Sequence, residues 1–393
     1  MDNKIKIGLF GIGLDTYWAQ FDGLLDKLVS FQVRINDRLE QFDTEVVDAG
    51  MVDNPDKAIA AARLFQKSGA DMILLNISTY ALSHNVLPLI QRISCPVVIL
   101  NLQPSEAIDY ERFNAMGDRG KMTGEWLSYC QSCVTPELAS VFNRAGIKYN
   151  LITGYLDEES VWDEIKEWID ACSVLKVMNN NRVGVMGHYY NGMLDVYSDI
   201  TLLAAAFGSH FELMEFGVLK NLFEKVTSDE ISIKLKQFND WFNVSDECSE
   251  ADLVNSARCS VALDKLVQRY KLGSLAYYYE GQDDADYEKI VTTLIPGMTL
   301  LTGQNVPVTL LSVCQGGDGK ITLLTAEGES VEGPTLQIGN TNSRYKFSLS
   351  ARDFINRWSE AGPSHHCSIG KGNKSSVIKK LAELLGIEYI RIC

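Results

Sequence analysis

Ile5-Lys6-Ile7-Gly8-Leu9-Phe10 (residues 5–10), Met72-Ile73-Leu74-Leu75 (72–75) and Val97-Val98-Ile99-Leu100 (97–100) are short apolar runs bounded by turn residues. Two further runs, Glu45 to Val47 and Tyr149 to Thr153, fit the same description. Between them lie segments with apolar residues at helical spacing, such as Lys57 to Lys67 and Ser160 to Val174. Strands separated by helices predict a parallel, doubly wound sheet, because a crossover helix must cover the face between two parallel strands. The pattern restarts at Arg182-Val183-Gly184-Val185-Met186-Gly187 and continues through Phe211 to Phe216 and Ser274 to Tyr279. Helices are expected near Glu230 to Phe242, Ala251 to Tyr270 and Asp286 to Leu301.

From Val306 onward the pattern becomes β-rich. Val308 to Cys314, Lys320 to Thr325, Thr335 to Ile338 and Tyr345 to Leu349 are separated by Gly-containing turns such as Gly316-Gly317-Asp318-Gly319. A helix at Ala351 to Glu360, a His365-His366 loop, a helix from Lys374 to Leu385 and a strand from Glu388 to Ile392 close the chain. The expected organisation is two Rossmann-like α/β domains, 1–178 and 179–305, and a smaller β-rich, antiparallel C-terminal domain, 306–393.

Composition narrows the function. A net charge of -15 argues against nucleic acid or an anionic membrane surface as partner, since both select a basic face. No apolar run reaches the roughly 20 residues of a membrane helix, and no leader is expected before the first strand, so a cytoplasmic location is expected. Nine cysteines, an odd number, are scattered as free thiols would be in a reducing compartment. The close pair Cys130-Gln131-Ser132-Cys133 has no second pair or neighbouring His to complete a zinc site and reads as structural.

In open α/β sheets ligands bind beyond the carboxyl ends of the strands. The first strand runs into Gly11-Ile12-Gly13-Leu14-Asp15-Thr16-Tyr17-Trp18, where no third glycine opens the helix and a bulky Tyr-Trp pair fills the turn, which argues against a dinucleotide site. Tyr17 and Trp18 suit the apolar face of a sugar ring, although Trp18 packing under the helix is an equal alternative. Asn76, Ser78, Thr79 and Tyr80, then Asn101-Leu102-Gln103-Pro104, supply neutral donors and acceptors suited to a polyol. Asn76 and Ser78 also read as caps; Gln103, a poor cap, leans functional. His188 and Glu280 follow strand ends and are candidates on position, for substrate and for catalysis respectively. Asp283 and Asp284 read as caps for the next helix, and Glu327, Glu329 and Glu332 as a solvated edge. His365 and His366, adjacent on an extended loop, are expected to face opposite ways, one into a site and one in support.

Gly362-Pro363-Ser364-His365-His366-Cys367, flanked by Phe354 to Trp358 and Val377 to Ile392, resembles the C-terminal signature of the L-arabinose and L-fucose isomerase superfamily. The likeness extends through Leu336 to Tyr345, Asn101 to Pro104 and Met122 to Trp126. The resemblance implies a metal-dependent aldose–ketose isomerase working through an enediol, with a divalent cation, manganese in the family, and a neutral sugar as substrate. It implies His366 as a metal ligand, sugar contacts from Gln103, Tyr17 and Trp18, and a homo-oligomer, trimer or hexamer. One departure stands out. Val308 and Thr309 are adjacent, where the family carries a long segment holding its catalytic glutamates and a further metal-binding histidine. That leaves open a deletion form or catalytically silent sugar-binding paralogue, a site rebuilt from Glu280, Asp283 or the Glu327 to Glu332 cluster, or a sequence joined across further residues.

Overall fold

The computed structural model describes residues 4–241, 244, 246, 248–278, 290, 306–333 and 344–393. The chain divides into two compact units, Met1–Lys176 and Val177–Cys393.

In the first unit β1 (Lys6–Ile12), β2 (Glu45–Val52), β3 (Met72–Asn76), β4 (Val97–Gln103) and β5 (Asn150–Tyr155) form one parallel sheet in the order β2-β1-β3-β4-β5. The apolar runs that announced β1, β3 and β4 are the central strands, covered on both faces, and all of β3 is buried. Edge strands β2 and β5 keep several residues half-buried or exposed, which is why their sequences are more mixed. Each fully buried Ile or Leu contributes about 1.5–3 kcal/mol, so this core is the main stabilising element of the unit. The crossover helix Pro55–Ser68 shows why its boundaries were legible. Asn54 accepts a hydrogen bond from the Lys57 N–H, Pro55 opens the first turn, and Gly69 closes the helix at φ 68°. The strand order reverses between β1 and β3, so the crevice of this sheet opens beyond Ile12 and Asn76.

The second unit holds two sheets. β6 (Arg182–Gly187), β7 (His210–Met214) and β8 (Ser274–Tyr278) are parallel in the order β7-β6-β8. Met186 and Met214 pack with Leu219, Ala257, Ala262 and Leu266 from the helices Phe216–Glu224 and Glu250–Tyr270. The other sheet comprises β9 (Val306–Gln315), β10 (Ile321–Ser330), β11 (Tyr345–Phe347), β12 (Ser368–Lys371) and β13 (Glu388–Arg391). It is β-rich and largely antiparallel as expected, but β13 joins β10 in parallel, because the helix Ser375–Leu385 returns the chain in the same direction. The expected strand Thr335 to Ile338 and helix Asp286 to Leu301 lie outside the described residues, apart from the helical Ile290.

Val308 and Thr309 lie inside β9 with no interruption of pairing. Val308 faces Gly328 on β10 and Lys371 on β12, and Thr309 faces Glu327 and Gly370. Both are buried. The Thr309 hydroxyl donates to the Gly372 carbonyl at 2.7 Å and accepts from the Lys374 N–H at 2.9 Å. The junction is therefore a packed, hydrogen-bonded part of the sheet.

Candidate functional site

Two groups of predicted residues gather at strand ends, one in each unit. In the first, the turn after β1 brings Trp18 back over Gly13 so closely that a Cβ at Gly13 would lie 2.7 Å from Trp18 Cζ2. The indole occupies the space through which a pyrophosphate would approach the backbone, which disposes of the dinucleotide reading. Trp18 Nε1 donates to Asp53 Oδ2 at 2.8 Å, and Lys57 Nζ donates to the same oxygen at 2.7 Å. Asp53 is only 2% exposed, so these donors compensate a carboxylate removed from water. The Asn85 amide donates to the carbonyls of Gly13 and Asp53, tying the ends of β1 and β2 together. Trp18 is thus a structural anchor and one wall of an open groove of about 520 Å³, shared with Leu25, Met51, Asp53 and Lys57. Tyr17 packs among Leu24, Leu28, Leu127 and Cys130. Burial pushes its hydroxyl pKa up, and Tyr80 and Cys130 add to the shift.

Gln103, at the end of β4, is held by the start of the helix Gln131–Arg144. In the amide orientation that satisfies both ends, its nitrogen donates to Gln131 Oε1 at 2.8 Å and its oxygen accepts from Ser132 Oγ at 2.9 Å. Asn101 donates to Ser132 Oγ and Thr153 Oγ1, each at 3.2 Å. Gln131, itself buried, donates to the carbonyls of Ser78 and Ser128. Asn76 and Ser78 bond to each other rather than to a helix end, and Thr79 Oγ1 donates to the Leu127 carbonyl. These amides and hydroxyls form an internal network that fixes Gln103 at the sheet's carboxyl edge.

In the second unit the loop after β6 carries an aromatic cluster. The His188 ring lies 5.4 Å from that of Tyr278, Tyr190 lies 4.8 Å from Tyr278, and Tyr189 lies 5.3 Å from Tyr197. The His188 Nδ1 sits 2.7 Å from the Tyr189 carbonyl, which orients the ring. Further along this loop Asp195 Oδ2 accepts from the His365 N–H at 3.0 Å, from Ser364 Oγ at 3.2 Å and lies 2.6 Å from His365 Nδ1. The His365 backbone N–H, then its ring, with help from Ser364, lower the Asp195 carboxyl to about 2. Asp195 engages Nδ1 of His365 and leaves Nε2 as the ring nitrogen outside that contact.

The two histidines do not face opposite ways. Their rings lie 4.1 Å apart at 47°, because one Asp195 oxygen draws both the backbone and the ring of His365 to itself. The His366 N–H donates to Ser364 Oγ, and its carbonyl accepts from Ser312 Oγ. Asp195 escaped the sequence reading because it sits in a short 3-10 turn, Leu194–Val196, far from the His-His loop along the chain. Its place beyond a strand end was the only available signal. Of the acidic residues, Glu327 is a structural pin, accepting from the Ser375 N–H and from Arg391, while Glu329 and Glu332 are exposed. Glu280, Asp283 and Asp284 lie outside the described residues.

A manganese ion needs several convergent ligands. Among the described residues no three His, Cys, Asp or Glu side chains are grouped to hold a cation. Asp195 Oδ2 serves three donors from Ser364 and His365.

Comparison with known proteins gives one distant likeness. Over 145 residues, 37% of this chain, it is 22% identical to L-arabinose isomerase of Bacillus subtilis (strain 168). The likeness is to a sugar isomerase. It covers 28% of that enzyme's length. No family model matches the chain. Among the described residues no helix is long and apolar enough to cross a membrane.

Proposed function

We propose that the chain handles an open-chain neutral sugar as an aldose–ketose isomerase does, at the strand-end loops of its second unit. The observation that supports this reading is the Asp195 clamp. It ties the loop after β6, on which His188 and three tyrosines also lie, through Asp195 to the His365-His366 loop that carries the resemblance. Tyrosine faces suit the C–H face of a sugar, and their hydroxyls with the imidazoles suit its oxygens. Isomerisation moves a proton between adjacent carbons through an enediol, so it requires a base within reach of both. By the resemblance the reaction would use a divalent cation, manganese, with His366 as one ligand, and a trimer or hexamer of identical chains.

A second reading, sugar binding without turnover, is favoured by the unbroken strand through Val308 and Thr309, the position at which the family carries its glutamates. A manganese titration followed by an aldose-to-ketose assay separates the two. Cation binding with ketose production is the expected result for the isomerase. Neither cation binding nor ketose from any tested pentose or deoxyhexose, with sugar binding retained, would establish the second reading instead. His366→Ala should lower manganese affinity sharply. His365→Ala and Asp195→Ala should instead loosen residues 362–367, read by hydrogen exchange, and equal manganese affinity in wild type and His366→Ala would remove that role.

A further inference from the structure

Cys130 and Cys133 bracket the two residues that hold Gln103. Cys130 is the N-cap of the helix Gln131–Arg144 and is buried, whereas Cys133, in its first turn, is exposed. The Cys133 N–H donates to the Cys130 carbonyl at 3.2 Å. Such a four-residue turn keeps its end α-carbons within about 7 Å, and a disulfide spans about 4.4–6.8 Å between α-carbons. Burial pushes the Cys130 thiol up to about 12, and the charge and hydrogen bonding of Cys133 add to this. The turn lacks one backbone donor. Pro136 has no N–H to give to the Ser132 carbonyl, and the Gln131 carbonyl takes an additional bond from Thr135 Oγ1.

We propose that Cys130 and Cys133 are a reversible dithiol–disulfide pair, oxidised by a low-molecular-weight disulfide, whose closure loosens the grip of Gln131 and Ser132 on Gln103. Cys133 reacts first because it is the accessible thiol of the pair. It attacks one sulfur of the disulfide, the S–S bond breaks, and one thiolate leaves and takes a proton. Cys130 then gives up its proton and attacks Cys133 Sγ in the mixed disulfide, expelling the second thiolate. Two hydrogens leave the protein and two small thiols are formed. Cys130 meanwhile loses its S–H contact to the Trp126 carbonyl. This inference is independent of the sugar reading, since it concerns thiol chemistry in the first unit alone.

The test is incubation of the full chain with oxidised glutathione, quenching by alkylation, and peptide-resolved mass spectrometry. The expected product is lighter by two hydrogens, with Cys130 linked to Cys133, and dithiothreitol reverses it. Cys130→Ala should stop at a glutathione adduct on Cys133, and the exposed, conservative Cys133→Ser should give neither product at this segment. Hydrogen exchange over residues 131–135 should be faster in the oxidised protein. A lasting glutathione adduct on Cys133 of the wild type, no reaction at either cysteine, or exchange unchanged by oxidation would each overturn the proposal.

Discussion

Trp18 shows what a single residue reveals and conceals in sequence. Its aromatic character and its place after β1 were legible, but its partner was not, because Asp53 follows a different strand. The pairing makes Trp18 the lid of a buried carboxylate as well as a wall of the groove. Trp18→Phe removes the indole N–H together with the Cζ2 and Cη2 atoms that lie nearest Gly13. Asp53 is then left with Lys57 and Asn54 as donors. Weakening the compensation of a buried carboxylate costs about 1–3 kcal/mol. Urea denaturation should show a lower midpoint with an unchanged slope, and a midpoint equal to wild type would mean that Asp53 is satisfied without Trp18. Asp195 makes the same point for the second unit. An aspartate in a loop carries no sign of the histidine it will hold, since that depends on closure of the chain between them.

At the scale of elements, legibility followed burial. β3 and β4 were visible because both faces are covered, which demands continuous apolar runs. The helices Tyr110–Asn114 and Arg119–Leu127 were not, because Gly117, Gly120 and Gly124 interrupt any helical pattern around them. The parallel pairing of β13 with β10 was also hidden, being a long-range choice made by the direction of the last helix. The element of most consequence is β9, whose strand was legible from Val308 to Cys314 while the contacts that close it were not. Val308 and Thr309 are adjacent where the resemblance implied further residues, and Thr309 closes the sheet onto the Gly372–Lys374 turn through both of its hydroxyl bonds. Thr309→Val, close in shape, would leave the Gly372 carbonyl and Lys374 N–H without that partner, at a cost of about 1–3 kcal/mol. Thr309→Ser restores the hydroxyl and should recover most of the loss. A thermal midpoint in Thr309→Val equal to that of wild type would show that the junction is not a stabilising feature.

At the scale of the whole molecule, the two kinds of sheet were legible from periodicity, while the association state was carried only by resemblance. A chain of net charge -15 repels its own copies, so a homo-oligomer must be held by apolar contact strong enough to overcome that repulsion. A candidate surface lies beyond β4, where most residues from 106 to 126 are exposed and include Tyr110 at 71%, Trp126 at 47% and Met116 at 39%. Large apolar side chains grouped on an exposed segment mark contact sites more often than solitary ones do. If these residues hold the proposed trimer or hexamer, sedimentation should give a mass several times 43.8 kDa. The assembly should persist or tighten as salt rises, because screening weakens repulsion between like-charged chains and leaves apolar contact intact. Tyr110→Glu combined with Trp126→Glu places charge on that surface and should release a folded chain sedimenting as a monomer. A wild-type protein already monomeric at micromolar concentration, or an assembly indifferent to both substitutions, would remove this surface from the account.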